Sequence, residues 1–353
     1  MYTEFAGKKI LIVGGAGFVG SNLSHLMLRS DIKALTIVDN FLSSDTTNIP
    51  KDERVNLLTG SIADDSVLNQ LAPEIDYVWH LACYHGNQSS IFDPIADHDN
   101  NNFTSLKLFE FLSKRSNIEK IVYSAAGCAV AEKTYGEPTA TLEDAQVSLF
   151  HDSPYSISKL VGEMYGNYYF KMYGMPFVKA RFQNVYGPRE VLGAGKWRGT
   201  YATVWRNVTP TFIWKSLNGE ALGLDNGGLV SRDFIYVEDI CRGLIACALS
   251  GKPGEAYNIA SGVETTIKEL AETINAFTGN DTPMDIQPAR DWDNSGRRFG
   301  STDKSRTELG FVAKTSVGEG LRQTVEWTRT NYEMVRERMC RHSENMARIG
   351  MPL

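Results

Sequence analysis

Lys9-Ile10-Leu11-Ile12-Val13-Gly14-Gly15-Ala16-Gly17-Phe18-Val19-Gly20 joins an apolar run to a glycine-rich turn. The run predicts a strand buried on both faces, because short continuous apolar segments are typical of parallel sheets. The glycines at 14, 17 and 20 allow a tight turn, the approach of a pyrophosphate and close packing of helix on strand. A helix predicted from Phe18 to Leu28 then offers free N–H groups to phosphates. This stretch therefore predicts a dinucleotide-binding turn.

Asp39 stands about twenty residues beyond this turn, where such folds carry an acidic residue. It ends a second predicted strand over 35–38. A carboxylate there accepts hydrogen bonds from both hydroxyls of the adenosine ribose and repels a 2′-phosphate. The pattern therefore favours NAD over NADP as the cofactor.

Apolar strands alternate with amphipathic helices through the first third of the chain, with further strands predicted over 55–58, 77–81 and 120–123. This alternation predicts an α/β fold, a Rossmann-type doubly wound parallel sheet that binds its ligand at the carboxyl ends of the strands. Beyond residue 187 the alternation loosens, which indicates a smaller mixed α/β substrate domain. The predicted division is an NAD-binding domain over 1–186 plus about 234–260, a substrate-binding domain over about 187–233 plus 261–335, and a C-terminal helical tail over 336–353.

Composition excludes several classes of protein. The 353 residues carry 36 Lys and Arg against 42 Asp and Glu, a net charge of −6, which argues against a general nucleic-acid binder. We see no apolar run of the roughly 18 residues that a membrane helix needs, and no secretory signal at the first residues. The five cysteines are scattered without metal-ligand spacing. We therefore predict a cytoplasmic protein with no metal site and no nucleic-acid or membrane partner.

Tyr155 and Lys159 lie four residues apart at the start of another predicted helix, so both project from one face. An ammonium beside a phenol favours the phenolate form, which lets a tyrosine act as a general base. The pair follows a predicted strand that ends near Ser124 and lies downstream of a dinucleotide-binding turn. In that context it predicts proton transfer beside a nicotinamide.

Together these residues resemble the extended short-chain dehydrogenase/reductase family, and within it the nucleotide-sugar epimerases and dehydratases. The chain is similar to UDP-glucose 4-epimerases over most of its length and shares some features with GDP-mannose 3,5-epimerases. Beyond the residues already quoted, the resemblance rests on His80-Leu81-Ala82, Asn101, Arg181-Phe182-Gln183-Asn184-Val185-Tyr186-Gly187-Pro188 and Arg232-Asp233-Phe234-Ile235-Tyr236-Val237-Glu238-Asp239. It implies a tightly held NAD that is reduced and reoxidised within one turnover.

The resemblance also implies the residues of the site. The implied catalytic residues are Tyr155 as the base, Lys159, Ser124 and Cys128. The implied cofactor-binding residues are Gly14, Gly17, Phe18, Val19, Gly20, Asp39, Asn40, Ser61, Ile62, Leu81, Ala82, Cys83, Asn101, Tyr155 and Lys159. The implied substrate-binding residues are Tyr84, His85, Asn184, Arg189, Lys196, Arg232 and Arg290, with Arg232 on the diphosphate.

Two positions depart from the family pattern. Many 4-epimerases carry a serine or threonine hydroxyl where Ala126 aligns, and 4,6-dehydratases carry an Asp-Glu pair where Gly127-Cys128 aligns. Without those carboxylates the elimination lacks its proton carriers. Cys128 is either a packing residue or, as in 3,5-epimerases, a thiol that moves a proton beside the ketone. His85 is either a second acid or base or a solvent-facing loop residue.

The leading hypothesis is an NAD-dependent nucleotide-sugar 4-epimerase that acts through a 4-keto sugar. A 3,5-epimerase or another keto-intermediate reaction, including dehydration or decarboxylation, is the alternative that would use Cys128. A simple dehydrogenase and a non-catalytic NAD-sensing protein are the other classes considered. A homodimer is expected through the helices near 101–113 and 155–171, as in relatives.

Overall fold

A seven-stranded parallel sheet forms the centre of the molecule. The computed structural model describes residues 2–84, 86–127, 136–289 and 296–353. The strands of this sheet run in the order β3-β2-β1-β4-β5-β6-β10. Their bounds are Lys9–Val13 (β1), Ala34–Asp39 (β2), Val55–Thr59 (β3), Tyr77–His80 (β4), Lys120–Ala126 (β5), Phe177–Phe182 (β6) and Ala256–Ile259 (β10). This is the predicted Rossmann-type sheet, and the strand order reverses direction between β1 and β4.

Alternate residues of each central strand enter two different cores. In β1, Ile10 and Ile12 pack with residues of β2 and of the helix Val237–Ser250, whereas Leu11 and Val13 pack with residues of β4 and of the helix Thr104–Ser113. Both faces of the sheet are therefore covered, because successive side chains of a strand point to opposite faces. This explains why these strands appear in the sequence as continuous apolar runs rather than as alternating ones.

The helices cover both faces and extend into the substrate side. Their bounds are Phe18–Met27 (α1), Asp65–Leu68 (α2), Asn87–Phe92 (α3), Pro94–Asp97 (α4), Thr104–Ser113 (α5), Pro154–Tyr173 (α6), Val208–Leu217 (α7), Val237–Ser250 (α8), Ile267–Thr278 (α9), Asp303–Leu309 (α10), Val317–Thr330 (α11), Tyr332–Cys340 (α12) and Ser343–Arg348 (α13). A π-helical segment, His98–Phe103, joins α4 to α5. Short 3-10 turns complete the set at Thr3–Phe5, Thr46–Asn48, Tyr201–Thr203 and Asn226–Gly228.

Two small sheets stand beyond the carboxyl ends of the large one. Asn184–Tyr186 (β7), Ser231–Tyr236 (β9) and Glu264–Thr266 (β11) form a three-stranded mixed sheet. Gly223–Asp225 (β8) pairs in parallel with Asp285–Gln287 (β12). The three-stranded sheet contains strands from both predicted domains, and β9 crosses the predicted boundary near 233. The domain boundaries therefore remain a prediction.

The C-terminal helices pack against the rest of the protein and form hydrogen bonds with it. α12 begins at Tyr332, before the predicted start of the tail at 336, and packs with α13 against the segment 191–205. The guanidinium of Arg338 donates at 2.6 Å to Asp45, in the loop after β2, and both side chains are buried. His342 Nε2 lies 2.9 Å from the carbonyl oxygen of Gly193. The predicted helical tail is thus an integrated part of the structure.

A buried ion pair connects α6 to β6. Arg181 donates Nε and Nη2 to the two carboxylate oxygens of Glu163 at 2.9 and 2.8 Å, and both side chains are less than one-tenth exposed. Removing one charge of such a pair leaves the other uncompensated in the interior.

We expect Glu163→Gln to lower the free energy of unfolding by about 3–5 kcal/mol, measured by thermal and urea denaturation. Glu333→Gln, which breaks the exposed pair with Arg336, is the matched control and should change nothing measurable. Equal stability of the two variants would contradict the prediction.

Candidate active site

One large cavity, of about 740 Å³, opens at the carboxyl ends of the strands. Its walls come from the turns after β1, β2, β3 and β4, from the end of β5, from α6, and from the segments on either side of the small sheets. Every predicted cofactor-binding residue except Asn101 lines it, together with Ser124, Asn184 and Arg232. The predicted groups for hydride transfer and for sugar binding therefore face one space.

The glycine turn is shaped by close contacts between backbones. Gly14 has φ of +85°, and a Cβ on it would lie 2.5 Å from the backbone nitrogen of Ala82, just after β4. A Cβ on Gly20 would lie within 3.0 Å of the Gly14 carbonyl oxygen. α1 begins at Phe18, so its first N–H groups face the cavity. The turn thus forms a phosphate cradle that side chains at 14 and 20 would obstruct.

Asp39 fixes the other end of the cofactor site. Its Oδ2 accepts a hydrogen bond from the Ala16 N–H at 3.0 Å, and its Oδ1 accepts from Ser44 Oγ at 2.7 Å and from the Phe41 N–H at 3.0 Å. The carboxylate is buried but still lines the cavity. It therefore stands at the end of β2 with its orientation set, where an adenosine ribose would meet it. The cradle and this carboxylate together fit NAD.

Tyr155 and Lys159 share the cavity-facing side of α6. The helix begins after Ser153, whose Oγ accepts from the Ser156 N–H, and Pro154 occupies the first turn. Lys159 Nζ donates to the Ser124 carbonyl oxygen at 2.8 Å, lies 3.4 Å from Ser124 Oγ, and is 5.8 Å from the Tyr155 ring centroid. The ammonium is nearly fully buried. Strand β5 therefore fixes the cation that stands beside the phenol.

His80 is buried behind this group and does not compete for its proton. Burial, with a smaller effect of the Lys159 charge, lowers the pKa of His80 to about 3. Its Nε2 lies 2.9 Å from Ser105 Oγ. The imidazole is therefore neutral at physiological pH and forms a packing contact at the end of β4 rather than acting as an acid or base.

Asn101 and Tyr84 occupy different places from those predicted. Asn101 lies in the π-helical segment, accepts from the Tyr84 N–H at 2.7 Å and donates to Asp97 Oδ1 at 2.8 Å. Asp97 in turn accepts from Ser158 Oγ on α6. Tyr84 is buried, and the guanidinium carbon of Arg198 lies over its ring, 5.7 Å from the ring centroid. Neither residue lines the cavity, because both are used to join the loop after β4 to the helices.

Arg189 and Lys196, expected to bind substrate, also lie outside the cavity. Arg189 has φ of +72° and donates Nη1 to Asn22 Oδ1 on α1 at 2.8 Å, so its side chain is turned toward α1. Lys196 is exposed to solvent. His85, Cys128 and Arg290 lie outside the described residues. Asn184 and Arg232 remain on the substrate side, with Arg232 donating to the carbonyl oxygens of Ser231 and Gly296.

Several cavity residues were not predicted as site residues. Glu190 and Asn207 carried no sequence signal, and Gln183 belongs to a segment that carries the family resemblance. Arg206, Trp205, Tyr201 and Arg298 belong to basic and aromatic segments that point to an anionic ligand. Asn207 Nδ2 donates to Glu190 Oε1. Burial raises the pKa of Glu190 to about 7.

Within the ranges that the structure describes, no group of His, Cys, Asp and Glu could hold a metal ion, and no helix is long and apolar enough to cross a membrane.

This fold and site define an enzyme that holds a dinucleotide against a tyrosine–lysine pair. Residues 10–260 match the NAD dependent epimerase/dehydratase family. The chain belongs to that family, so it is an NAD-dependent enzyme of the nucleotide-sugar epimerase and dehydratase group. The resemblance seen in the sequence and the predicted cofactor are thereby confirmed.

Solved structures and curated proteins resemble the chain along most of its length. The Bordetella bronchiseptica enzyme WbmF, in complex with NAD⁺ and UDP, has 52% sequence identity and a TM-score of 0.89, covering 98% of this chain and 99% of that one. The epimerase Mth375 from Methanothermobacter thermautotrophicus has 37% identity and a TM-score of 0.86, covering 95% and 96%. A putative UDP-glucose 4-epimerase from Methanocaldococcus jannaschii is 30% identical over 324 residues, 91% of this chain and 99% of the relative.

The phosphate cradle gives a direct prediction. We expect Gly20→Ala to weaken NAD binding at least about tenfold, because the new methyl group must displace the Gly14 carbonyl from the turn. The measurement is the NAD retained after gel filtration and the rise in melting temperature on adding NAD. Gly318→Ala, in the first turn of α11 with open space around its Cβ, is the control and should bind NAD normally. Unchanged NAD retention in Gly20→Ala would refute this account of the turn.

Proposed function

We propose that the protein is a 4-epimerase of a uridine diphosphate sugar that works through a transient 4-keto sugar. The observation that carries the proposal is the single cavity that joins the phosphate cradle, the Tyr155–Lys159–Ser124 group and, on the substrate side, Asn184 and Arg232. The UDP bound to WbmF and the name of the M. jannaschii relative support the choice of nucleotide and reaction.

NAD held by the phosphate cradle and Asp39 would supply the acceptor for the hydride of the sugar carbon and the donor that returns it. Tyr155 accepts the hydroxyl proton as the C4–H bond breaks, and it gives the proton back when the alcohol re-forms. Lys159, fixed by the Ser124 carbonyl, supplies positive charge beside the phenol, while Ser124 Oγ stands next to the ammonium as a donor for the reacting oxygen. Arg232 holds the diphosphate, so the ketone can turn over while the nucleotide stays bound.

The wall beside β5 argues against dehydration. A Cβ on Gly127 would lie 2.7 Å from Cδ of Gln183, so the amide of Gln183 occupies the space into which a side chain at 127 would project. A carboxylate at that position would require the Gln183 side chain to move away. The resemblance implies that dehydratases carry an acid there, and Gly127 supplies none.

Proton transfer at a neighbouring carbon is the second candidate. Ala126 is a buried methyl side chain at the end of β5, so it gives the reacting oxygen no hydroxyl. A reaction at C3 or C5 would depend less on a hydroxyl at position 126. It would depend more on Cys128 and His85 for proton transfer. The measurement below distinguishes the two reactions.

Incubation with UDP-sugars in heavy water tests the reaction. We expect inversion at C4 without deuterium uptake, since the hydride leaves and returns without contact with solvent. Tyr155→Phe should reduce kcat about 10²- to 10⁴-fold and still retain NAD. The control is Tyr168→Phe, which removes an exposed phenol from the same helix. Deuterium at C3 or C5 that disappears in Cys128→Ala would overturn the 4-epimerase proposal in favour of the second candidate.

We also propose that two copies pair through α6. On α5, Leu108, Phe109 and Leu112 lie in the protein's own core. On α6, Ile157, Met164, Tyr168 and Met172 are exposed, as is Phe103 of the π-helical segment. The four α6 residues are spaced by seven, four and four residues, about two turns, one turn and one turn, so they form an apolar stripe on one helical face. Such a patch is typical of an interface.

Charge introduced into this stripe should separate the copies. We expect the double variant Met164→Glu/Tyr168→Glu to be a monomer and the wild type a dimer, as measured by sedimentation and light scattering. Val312→Glu places the same charge at an exposed valine elsewhere and should leave the assembly unchanged. A wild-type monomer, or a dimer that persists in the double variant, would contradict pairing through α6.

A cytoplasmic location completes the proposal. Cys83, Cys241, Cys247 and Cys340 are free thiols, which is typical of proteins in a reducing compartment. Fractionation of cells that express the protein would test this location.

A further inference from the structure

A group of charged residues in the connection between β7 and α7 does no work in the proposed reaction. Glu190 and Arg198 are buried, and Arg206 is partly buried with its Nε enclosed. Glu190 and Arg206 also line the cavity. A buried guanidinium loses its hydration and requires strong acceptors to replace it. The partners that the protein supplies to Arg206 therefore show whether it is a structural residue or a binding residue.

Arg206 is incompletely satisfied by the protein. Its Nη2 donates to the carbonyl oxygen of Ser43, a neutral acceptor. In the part of the chain that the structure describes, its buried Nε has no acceptor. Glu190 attracts it, but the carboxylate receives its hydrogen bond from Asn207, and Glu190 Oε2 has no partner among the described residues. A structural arginine would form a paired bridge, as Arg181 does with Glu163.

The charge of this group is positive at neutral pH. Burial lowers the pKa of Arg198 to about 10 and raises the pKa of Glu190 to about 7. Two guanidinium groups thus stand beside one carboxyl group. The group favours a negatively charged ligand from the cavity.

The group is distinct from the two places where diphosphates are expected. The cofactor diphosphate belongs to the cradle at Gly14 and Gly20, and the diphosphate of the sugar nucleotide belongs to Arg232 on β9. Arg206 reaches the Ser43 carbonyl in the loop after β2, whereas the guanidinium of Arg198 lies 5.7 Å from the ring centroid of Tyr84. Tyr84 follows β4, the neighbour of the β5 strand that carries Ser124. The positive charge therefore extends from the loop after β2 to the loop after β4, beside the proposed place of the reacting sugar.

We propose that Arg206, supported by Glu190 and Arg198, binds a carboxylate on the sugar, so that the substrate is a nucleoside diphosphate hexuronate rather than a neutral hexose. This inference rests on the proposed function, because it assumes a sugar nucleotide in the cavity. The planar guanidinium suits a carboxylate, and charge-assisted hydrogen bonds of this kind are among the strongest in proteins. Glu190 keeps Arg206 oriented until the substrate arrives.

Binding of UDP-glucuronate and UDP-glucose to the NAD-loaded protein tests the proposal. The titrations use calorimetry in a Tyr155→Phe background, which prevents turnover. We expect UDP-glucuronate to bind at least about tenfold more tightly than UDP-glucose, and Arg206→Gln to weaken UDP-glucuronate about 10- to 100-fold while changing UDP-glucose less than about threefold. Arg322→Gln removes an exposed arginine on α11 and should preserve the discrimination.

Other outcomes would overturn the proposal in identifiable ways. Equal affinity of the starting protein for both sugars, or equal losses for both in Arg206→Gln, would exclude a carboxylate subsite and leave the proposed function intact. Loss of bound NAD in Arg206→Gln with discrimination retained would show that the cofactor phosphates are the anion. Failure of either sugar nucleotide to bind would instead contradict the proposed function. Retained NAD and an unchanged melting temperature establish that a variant is folded.

Discussion

The contact between the Gly14 backbone and the end of β4 organises the whole carboxyl edge of the sheet. The Val13 carbonyl accepts from the N–H groups of both Leu81 and Ala82 at 2.8 Å, and the Gly14 N–H donates to Val38 at 2.7 Å. The ends of β1, β2 and β4 are thereby locked together where the strand order reverses. A cavity forms at this point because the chain leaves β1 and β4 in opposite directions. Since any Cβ at Gly14 would meet Ala82, the same contact that closes the sheet also keeps the phosphate cradle open.

The charged groups around the cavity differ in how firmly hydrogen bonds within the protein hold them. Lys159 is bound to a strand carbonyl and Asp39 to three donors, so both are fixed before a ligand arrives. Such preorganisation favours hydride and proton transfer, because little reorientation remains for the reaction itself. Arg206, by contrast, has one neutral acceptor and an unsatisfied Nε. The fixed groups therefore define the chemistry common to the family, and the incompletely bonded group is suited to select among sugars.

The sequence predicted those parts of the molecule whose determinants are local. The glycine turn, Asp39 and the Tyr155–Lys159 spacing are short patterns within one or two elements, and the placement of their residues agrees with them. Strand β6 was not predicted, because it carries Lys179 and Arg181, whose buried partners Asn167 and Glu163 lie on α6. Arg189, Lys196 and Tyr84 were assigned to the substrate from their position in the chain, but a side chain's direction depends on tertiary contacts. Glu190 and Asn207 gave no signal for the same reason.

The connection that carries Arg206 joins three parts of the protein at once. Lys196 N–H donates to the Leu42 carbonyl beside the cofactor loop, Gly193 packs against α12 and accepts from His342, and Arg338 of α12 reaches Asp45. The same connection thus touches the adenosine side of the cavity, the sugar side and the C-terminal helices. Tyr155 and Lys159 are held by β5 and α6 instead. We therefore expect changes in the C-terminal helices to affect recognition of the sugar more than the positions of Tyr155 and Lys159. The architecture therefore separates the proton-transfer pair at the sheet edge from the connection that we propose to select the sugar, which this chain packs against its own C-terminal helices.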